Sequence, residues 1–508
     1  MADTVDYFVP PEEEYYQVLD SGVFLTGMPA EKMRIIVAER PDQRKQDSTG
    51  YSWDDAGMAD LFALVYSDTT RYCAERRSWY TYYDGAWRQD VDSLLVGEKI
   101  KDFYTLMTVY CSALPTATKE QAEHKAAYTK FISTLGDRRR RQRLMGDAQG
   151  TCQIKAEKFD SNPFLINCKN GTFDLKADRF YEAKADDYLT MQTNFTYLID
   201  RDRPLCPRWQ KFIEEVTQGD ADKADYLQRA LGYSILGKSN EECMFILHGK
   251  TARNGKSTLL DAIEYLLGDY ATTTPVSVIC GADKIRDAEA ASPVLAALKG
   301  KRFVHIEESN QYGSMNEDTV KNITGGTNIT ARHLYEKSIT YKPQFTIWLS
   351  CNSLPAVNDK SLFASERVRV IEFNRHFTDA ERDRTLKDFF REDENMRGIF
   401  TWLLVGYKNY KKHGLKMADH LQKVITDYEN DNDVVLQFLQ QVCKKQAGEV
   451  TRAKTLYDKY KSWSRSNGAP AMSAKKFNAG VDLHPEWYEK TYVSSGFRVY
   501  RGIVIRSD

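Results

Sequence analysis

Residues 244–260 read MFILHGKTARNGKSTLL, and the way this run folds decides the architecture around it. Met244-Phe245-Ile246-Leu247 is a short continuous apolar run, the pattern of a strand buried on both faces. Beyond Lys256, the residues Leu259, Leu260, Ile263, Leu266 and Leu267 fall on one helical stripe. Between strand and helix, Asn254-Gly255-Lys256-Ser257-Thr258 has the composition of a phosphate-binding loop. Such a loop works because a buried strand delivers the chain into a turn whose N–H groups point inward. The following helix then offers its positive end to the anion. The usual spacing, Gly-x-x-x-x-Gly-Lys-Ser/Thr, calls for glycine at 250. Lys250 stands there and the glycine is Gly249, so the loop is one residue longer. A bare Gly-Lys-Ser also occurs in ordinary surface turns, but the strand before it and the helix after it favour a nucleotide site. In that site Lys256 reaches the β- and γ-phosphates of ATP and Ser257 ligates Mg²⁺.

A hydrolytic site also needs acid at the end of a neighbouring strand. RFVHIEE (302–308) is a short apolar strand ending in two carboxylates. Glu307 is assigned to the metal and Glu308 to the attacking water. The plain alternative is a strand that leaves for solvent through two glutamates. FTIWLSCN (345–352) sets Asn352 at a third strand end, where an amide can sense the γ-phosphate and the water; asparagine is also an ordinary turn residue there. VRVIEF (368–373) is a further strand. Strands separated by helices predict an α/β core.

The bulk properties set limits around this core. A chain of 508 residues should hold roughly two to four domains. With 42% hydrophobic and 28% charged residues, it has the composition of a globular protein with ample core. Its net charge of −1 gives no global basic signature, so any nucleic-acid contact must come from local patches. Nine cysteines show neither Cys-x-x-Cys pairs nor zinc spacing, a pattern that fits buried thiols in a reducing cytosol. MADTVDYF lacks a signal sequence, and no apolar run approaches the roughly 18 residues of a membrane span. The expectation is a soluble cytoplasmic protein with no membrane partner.

Outside the core, residues 1–50 read as tail or linker, with a short helix near 29–39. SWDDAGMADLFALVY is a helix behind a Ser/Asp cap, and RSWYTYYDGAWRQD a hairpin about Asp84-Gly85. Helix follows to about 158 and includes Arg138–Arg141, a charge run whose plain reading is a solvated helix face. NPFLINCKNGTFDL is strand–turn–strand with Asn170-Gly171 as the turn signal, and two amphipathic helices precede the strand at 244. The last 58 residues carry 11 Lys/Arg against 5 Asp/Glu. A helix, a second helix capped by Ser473 and the strand FRVYRGIVI read there as a winged helix. Lys475 and Lys476 are its phosphate contacts; a purely structural lid is the alternative.

Taken in order, these motifs resemble the superfamily 3 helicases of viruses, phages and plasmids, above all the phage/plasmid and poxvirus primase-helicase ATPases. The loop (Gly249, Asn254, Gly255, Lys256, Ser257, Thr258) is similar to that family's Walker A, and RFVHIEE to its Walker B. KNITGGTNITARHLYEKSITYKPQF (321–345) resembles the segment between Walker B and sensor 1, SCNSLP (350–355) sensor 1, and ERVRVIEF (366–373) the arginine-finger segment. WYTYYDGAWRQD and NPFLINCKNGTFDL resemble the N-terminal helicase-associated domain, so the resemblance covers roughly residues 51–508.

That resemblance implies an α+β helicase-associated domain (51–204), an α/β P-loop, AAA+-like superfamily 3 ATPase core (205–430) and a C-terminal winged helix (431–508). It implies ATP and Mg²⁺ as cofactors and a homo-oligomeric ring, a hexamer, that hydrolyses ATP at subunit interfaces. Arg367 would act across the interface. Glu366 stands where many relatives have a second arginine, which leaves Arg369 as the substitute. A hairpin made of ITARHLY and SITYKPQF would enter the ring and grip single-stranded or forked DNA through Lys337, with Arg332 and His333 contributing less. Travel would run 3′→5′. The stretch before residue 51 is too short for the primase domain of many relatives, so primase or polymerase would be a separate partner. The setting implied is replication of a phage, prophage or plasmid in bacterial cytoplasm. The rival reading is an initiator or packaging-type ring whose ATPase does not unwind processively.

Overall fold

The computed structural model describes residues 30–43, 51–198, 205–280, 292–307, 314–332, 338–357, 361–467 and 471–506. The chain divides into two compact units, one running to Pro204 and including Leu266–Tyr270, the other holding Leu205–Tyr265 and the chain from Ala271 onward.

In the first unit, capping residues decide where helices start. Asp54 accepts from the Gly57 N–H ahead of α2 (Asp55–Tyr66), which follows α1 (Ala30–Glu39). After α3 (Leu94–Ala113), Thr118 and Gln121 form a reciprocal capping box at the start of α4 (Lys119–Ser133). Asp137 accepts from the N–H groups of Arg139 and Arg140 as α5 (Arg138–Thr151) begins. These helices share one core, which includes Met33 and Ile36 of α1. Asp42, buried just beyond α1, accepts from the Tyr110 hydroxyl and lies 3.2 Å from His124 Nε2. The short helix expected near 29–39 is therefore present, and residues 30–43 are packed into the fold and do not form a tail or linker; residues 1–29 and 44–50 lie outside the described residues. The arginine run is divided. Arg140 pairs with Asp55 at 2.7 Å and Arg141 donates to the carbonyls of Leu135 and Gly136, while Arg138 and Arg139 are exposed.

Two small antiparallel sheets complete this unit: β1 (Thr70–Cys73), β2 (Ser78–Tyr83) and β3 (Ala86–Asp90), then β4 (Leu165–Cys168), β5 (Gly171–Asp174) and β6 (Arg179–Tyr181). Asp84 and Gly85 both take positive φ, 49° and 74°, as a two-residue hairpin of this hand requires. The second turn departs from expectation. Cys168 pairs with Gly171, so the turn is Lys169-Asn170 and the glycine opens the strand. A Cβ on Gly171 would lie 2.5 Å from the Phe180 ring, so packing and not turn conformation requires glycine there.

In the second unit, α6 (Pro207–Thr217) and α7 (Ala221–Ser234) lead into β7 (Met244–His248), α8 (Lys256–Leu267), β8 (Ala271–Pro275) and β9 (Phe303–Glu307). Next come α9 (Glu317–Thr324), β10 (Ile329–Ala331), β11 (Ile339–Tyr341), β12 (Thr346–Cys351) and β13 (Val368–Glu372). The five-stranded sheet has the order β13-β7-β12-β9-β8, and every neighbouring pair is parallel. β7 and β12 are buried at every position, which is why they read as unbroken apolar runs. Register places His248 opposite both Cys351 and Glu372, and Ser350 opposite Glu307. The carboxyl ends of four strands thus finish along one edge, where crevices form in open α/β sheets. β10 and β11 pair as the expected hairpin, but its tip at 333–337, with His333 and Lys337, lies outside the described residues.

After α10 (Asp393–His413) and α11 (Asp419–Asp431) the chain forms α12 (Val434–Val442), β14 (Cys443–Arg452), α13 (Ala453–Ser466), α14 (Ala474–Asp482), β15 (Lys490–Ser494) and β16 (Phe497–Ile505). Its three strands are antiparallel in the order β14-β16-β15, over a core that includes Phe438, Leu456, Tyr460, Phe477 and Tyr500. Helix, helix and final strand stand where the sequence places them; β14 and β15 are additions. β15 is exposed at every position and β14 is buried only at Cys443 and Thr451, so neither has an apolar alternation to read. All nine cysteines are buried and unbridged.

Candidate functional site

The chain leaves β7 at His248 and enters α8 at Lys256 through a loop fixed from several sides. Gly249 N–H donates to the Cys351 carbonyl at 3.2 Å, and Phe373 N–H to the His248 carbonyl at 2.7 Å. Farther along, Phe377 N–H donates to the Arg253 carbonyl at 2.8 Å, and Arg253 pairs with Asp379 at 2.7 Å. Asn254 is buried and turns its amide back on the loop, donating to the Thr251 carbonyl at 2.6 Å. The additional residue is taken up by that bond and by left-handed backbone at Arg253 (φ 61°) and Gly255 (φ 87°).

The two glycines do different work. At Gly255 the positive φ demands glycine. At Gly249 the backbone is ordinary, but a Cβ would lie 2.2 Å from Asn254 Nδ2 and 2.5 Å from the Phe373 carbonyl. Gly249 and Asn254, both expected to contact a ligand, pack against each other on the underside of the loop.

The ammonium of Lys256, 4% exposed, donates to Asn352 Oδ1 at 2.9 Å and to the Gly249 carbonyl at 3.1 Å. Residues expected from separate stretches of sequence, Lys256 and Asn352, are thus in direct contact. Glu307 closes β9 at the same edge of the sheet and is exposed; Glu308 lies outside the described residues. Ser257 and Thr258, in the first turn of α8, line an open cleft of about 480 Å³ with Arg208, Phe212, Phe377 and Arg384. A helix amino end, an exposed hydroxyl and several cations together suit an anion of phosphate size.

Two neighbours escape a reading of sequence. Burial holds the His248 imidazole below its usual range, with the Lys256 ammonium adding to this against the pull of Glu372. His305, buried in β9, lies 3.3 Å from Glu264 Oε2, which also accepts from Thr273 at 2.9 Å. Burial alone would raise the Glu264 carboxyl, but bonds from His305 and Thr273 leave it lowered. This network ties α8 to β9 and β8. The clamp from 373 to 379 is also missed, since RHFTDAERDR has no periodicity; its one signal is the lone aromatic Phe377 among charges.

Arg367 sits at the other end of the sheet, where its carbonyl accepts from Met244 N–H at 2.8 Å. Its guanidinium pairs with Glu242 at 2.6 Å and donates to Thr324 Oγ1 at 2.9 Å. Five residues of β7 separate this point from the loop, about 16 Å at strand rise, so Arg367 cannot serve the loop of its own chain. Arg369 is not an available substitute. It is buried, pairs with Glu366 at 2.7 Å and donates to the Leu415 carbonyl at 3.2 Å. Arg332, half-buried, follows β10, and its carbonyl accepts from Ser292 N–H at 3.0 Å. Lys475 and Lys476 are exposed in the first turn of α14, where Ser473 caps the Lys476 N–H.

Compared with known proteins, residues 59–218 match the family described as D5 N terminal like, and residues 430–500 the family described as Poxvirus D5 protein-like. Between them, residues 247–369 match a family of unknown function (DUF5906). One curated relative, named "Putative helicase", comes from Acanthamoeba polyphaga mimivirus. It is 30% identical over 329 residues, which cover 61% of this chain and 34% of the relative. A relative of the same name from Invertebrate iridescent virus 6 is 26% identical over 269 residues, 49% of this chain and 27% of the relative. The chain therefore spans about a third or less of the length of these relatives. Among solved structures, the apo structure of NrS-1 C terminal region (305-718) matches with a TM-score of 0.50 at 11% identity, covering 89% of this chain and 99% of that one, a likeness of fold alone. Fold and site together define a mixed α/β protein whose central parallel sheet gathers its polar side chains at one edge. The D5-type matches at both ends of the chain, together with the relatives named as helicases, support a D5-type primase-helicase family. These relatives come from viruses of eukaryotes, so the bacterial setting implied by the resemblance gains no support from them. No helix among the described residues is long and apolar enough to cross a membrane.

Proposed function

We propose that the chain is an ATP-driven, ring-forming DNA helicase of superfamily 3 that serves replication of a viral genome. The observation that carries this reading is the contact of Lys256 with Asn352 at the edge where β7, β12 and β9 end. Lys256 draws the β- and γ-phosphates of ATP into the loop; Asn352 positions the γ-phosphate and the attacking water, whose proton passes toward Glu308. The oxygen donors at hand suit a hard divalent cation, namely the Ser257 hydroxyl and the Glu307 carboxylate. Mg²⁺ held by them supplies neutralisation of the charge on the phosphoryl group. Arg367, out of reach of its own loop, serves the loop of a neighbouring subunit. Lys337 at the hairpin tip grips single-stranded DNA in the ring. Lys475 and Lys476 of a winged-helix module contact phosphates of the duplex.

Strand displacement on a forked DNA duplex tests the reading. The wild-type chain is expected to separate the strands only with ATP and Mg²⁺, and Lys256→Ala to separate none. Turnover of ATP without displacement would assign the chain to the initiator class. Undiminished turnover in Lys256→Ala would remove the site altogether.

A further inference from the structure

A second cavity, of about 370 Å³, lies within the first unit and has no part in the nucleotide reading. Arg71 lines it from β1, Gln153, Lys155, Glu157 and Lys158 from the turn after α5, and Tyr188 from the loop after β6. Three cations face one carboxylate. Glu157 offers little compensation, since it stands 3.9 Å from Lys155 and both side chains are exposed. Arg71 Nε is buried and meets no acceptor among the described residues. Its guanidinium otherwise makes a long contact, 3.5 Å, with the Tyr188 hydroxyl. Leaving a buried N–H unpaired is costly, and a guanidinium fork is the group best matched to a phosphate.

The walls are rigid. Tyr72 N–H donates to the Cys152 carbonyl and Ile154 N–H to the Tyr72 carbonyl, both at 2.9 Å, which locks the lysine-bearing turn to β1. Tyr188 is held in left-handed backbone (φ 51°), with its ring stacked on Trp87 at 5.8 Å and 17°. Trp87 in turn is pinned through its indole N–H to the Ala185 carbonyl at 2.7 Å. Lys158 Nζ lies 5.5 Å from the centre of the Tyr188 ring. Fixed aromatic rings beside cations that take phosphate are how proteins hold single strands without reading sequence.

From this arrangement we infer that the cavity binds a phosphodiester of single-stranded DNA. Arg71, Lys155 and Lys158 take the phosphate, and the Tyr188 ring lies against the adjoining base. The inference rests on reading the chain as a protein that acts on nucleic acid, but not on the nucleotide loop. The test is fluorescence anisotropy of a labelled oligothymidylate with the full chain over a series of salt concentrations. The double variant Lys155→Gln/Lys158→Gln changes only exposed side chains, so it keeps the test sound should Arg71→Gln fail to fold. Both are expected to bind more weakly, with the slope of log affinity against log salt reduced by at least about 0.7, the increment for one phosphate on a single strand. Tyr188→Ala should lose about ten-fold in affinity at unchanged slope. Lys119→Gln, at an exposed lysine of α4 outside the cavity, should bind as the wild type does. Wild-type affinity and slope in the lysine double variant would overturn the assignment. Displacement of the oligonucleotide by equal concentrations of a mononucleotide or inorganic phosphate would reassign the cavity to a free phosphate ligand. If the wild-type chain binds no oligonucleotide, this inference and the nucleic-acid reading fall together.

Discussion

At the carboxyl end of the five-stranded sheet a buried lysine, Lys256, donates to groups that two different strands deliver, the Gly249 carbonyl and the Asn352 amide. At the amino end of the same sheet an arginine, Arg367, rests on Glu242 and Thr324 of its own chain. The first arrangement exists only because β7 and β12 are neighbours in register. The second ties the residue before β13 to the loop ahead of β7 and to the end of α9. One end of the sheet therefore gathers polar groups from two strands around a buried cation, and the other holds its cation on a carboxylate. Under the proposed function the nucleotide of an adjacent copy competes for that second cation, and ring assembly must exchange the Glu242 contact for a phosphate.

The largest effects should come from removing either cation. Lys256→Ala and Arg367→Ala are each expected to lower ATP turnover by about 10³–10⁵-fold. Mixing the two inactive proteins should restore part of the activity, because some interfaces then pair an intact loop with an intact arginine. If steady-state assays of the mixture recover nothing, the two ends do not cooperate across subunits.

Smaller effects separate the glycines beneath the lysine. Gly249→Ala forces a methyl against the Phe373 carbonyl, and Gly255→Ala imposes a side chain on left-handed backbone. Each should lower stability by about 1–3 kcal/mol in urea unfolding. A Gly249→Ala variant with the wild-type midpoint would show that the underside of the loop can yield. Smaller still, Glu242→Gln frees the arginine at a cost under about 1 kcal/mol, since the carboxylate is half exposed. Turnover should hold or rise; a loss as deep as that of Arg367→Ala would mean that Glu242 aims the arginine instead of storing it.

The smallest effect expected is one of pH. His248 is held below its ordinary value of 6.5, so the unfolded chain takes up its proton first as pH falls. Stability should therefore be full above about 6.5 and decline as the pH drops through that value. His248→Asn should show a shallower decline when melting temperatures are compared at pH 7.5 and 5.5. Equal declines would place the titration elsewhere.

The carboxyl edge was legible because buried parallel strands write themselves as apolar runs, and whatever polar residue ends the run must lie at the edge. Glu307 and Asn352 were placed that way, and Lys256 by the composition of the loop between strand and helix. The packing role of Gly249 stayed hidden because a glycine before a phosphate loop and a glycine beneath a buried asparagine look alike in one dimension. The clamp at 373–379 and the Glu264–His305–Thr273 network join residues remote in sequence, and no local period marks them. β14 and β15 stayed invisible because their side chains face solvent, which leaves nothing for a pattern of burial to act on.

The cysteines give the molecule a set of internal clocks. A thiol attacks an alkylating reagent as its thiolate, and burial pushes Cys168 and Cys443 up to about 12 and Cys152 up to about 11. Modification of the folded chain therefore waits on opening. Cys73, Cys111, Cys152 and Cys168 keep time for the first unit, and Cys206, Cys243, Cys280 and Cys351 for the chain around the parallel sheet. Cys443 keeps time alone for the segment that follows α12. Mass-resolved alkylation over hours would read the order in which these parts come undone, on the natural sequence and without an added probe.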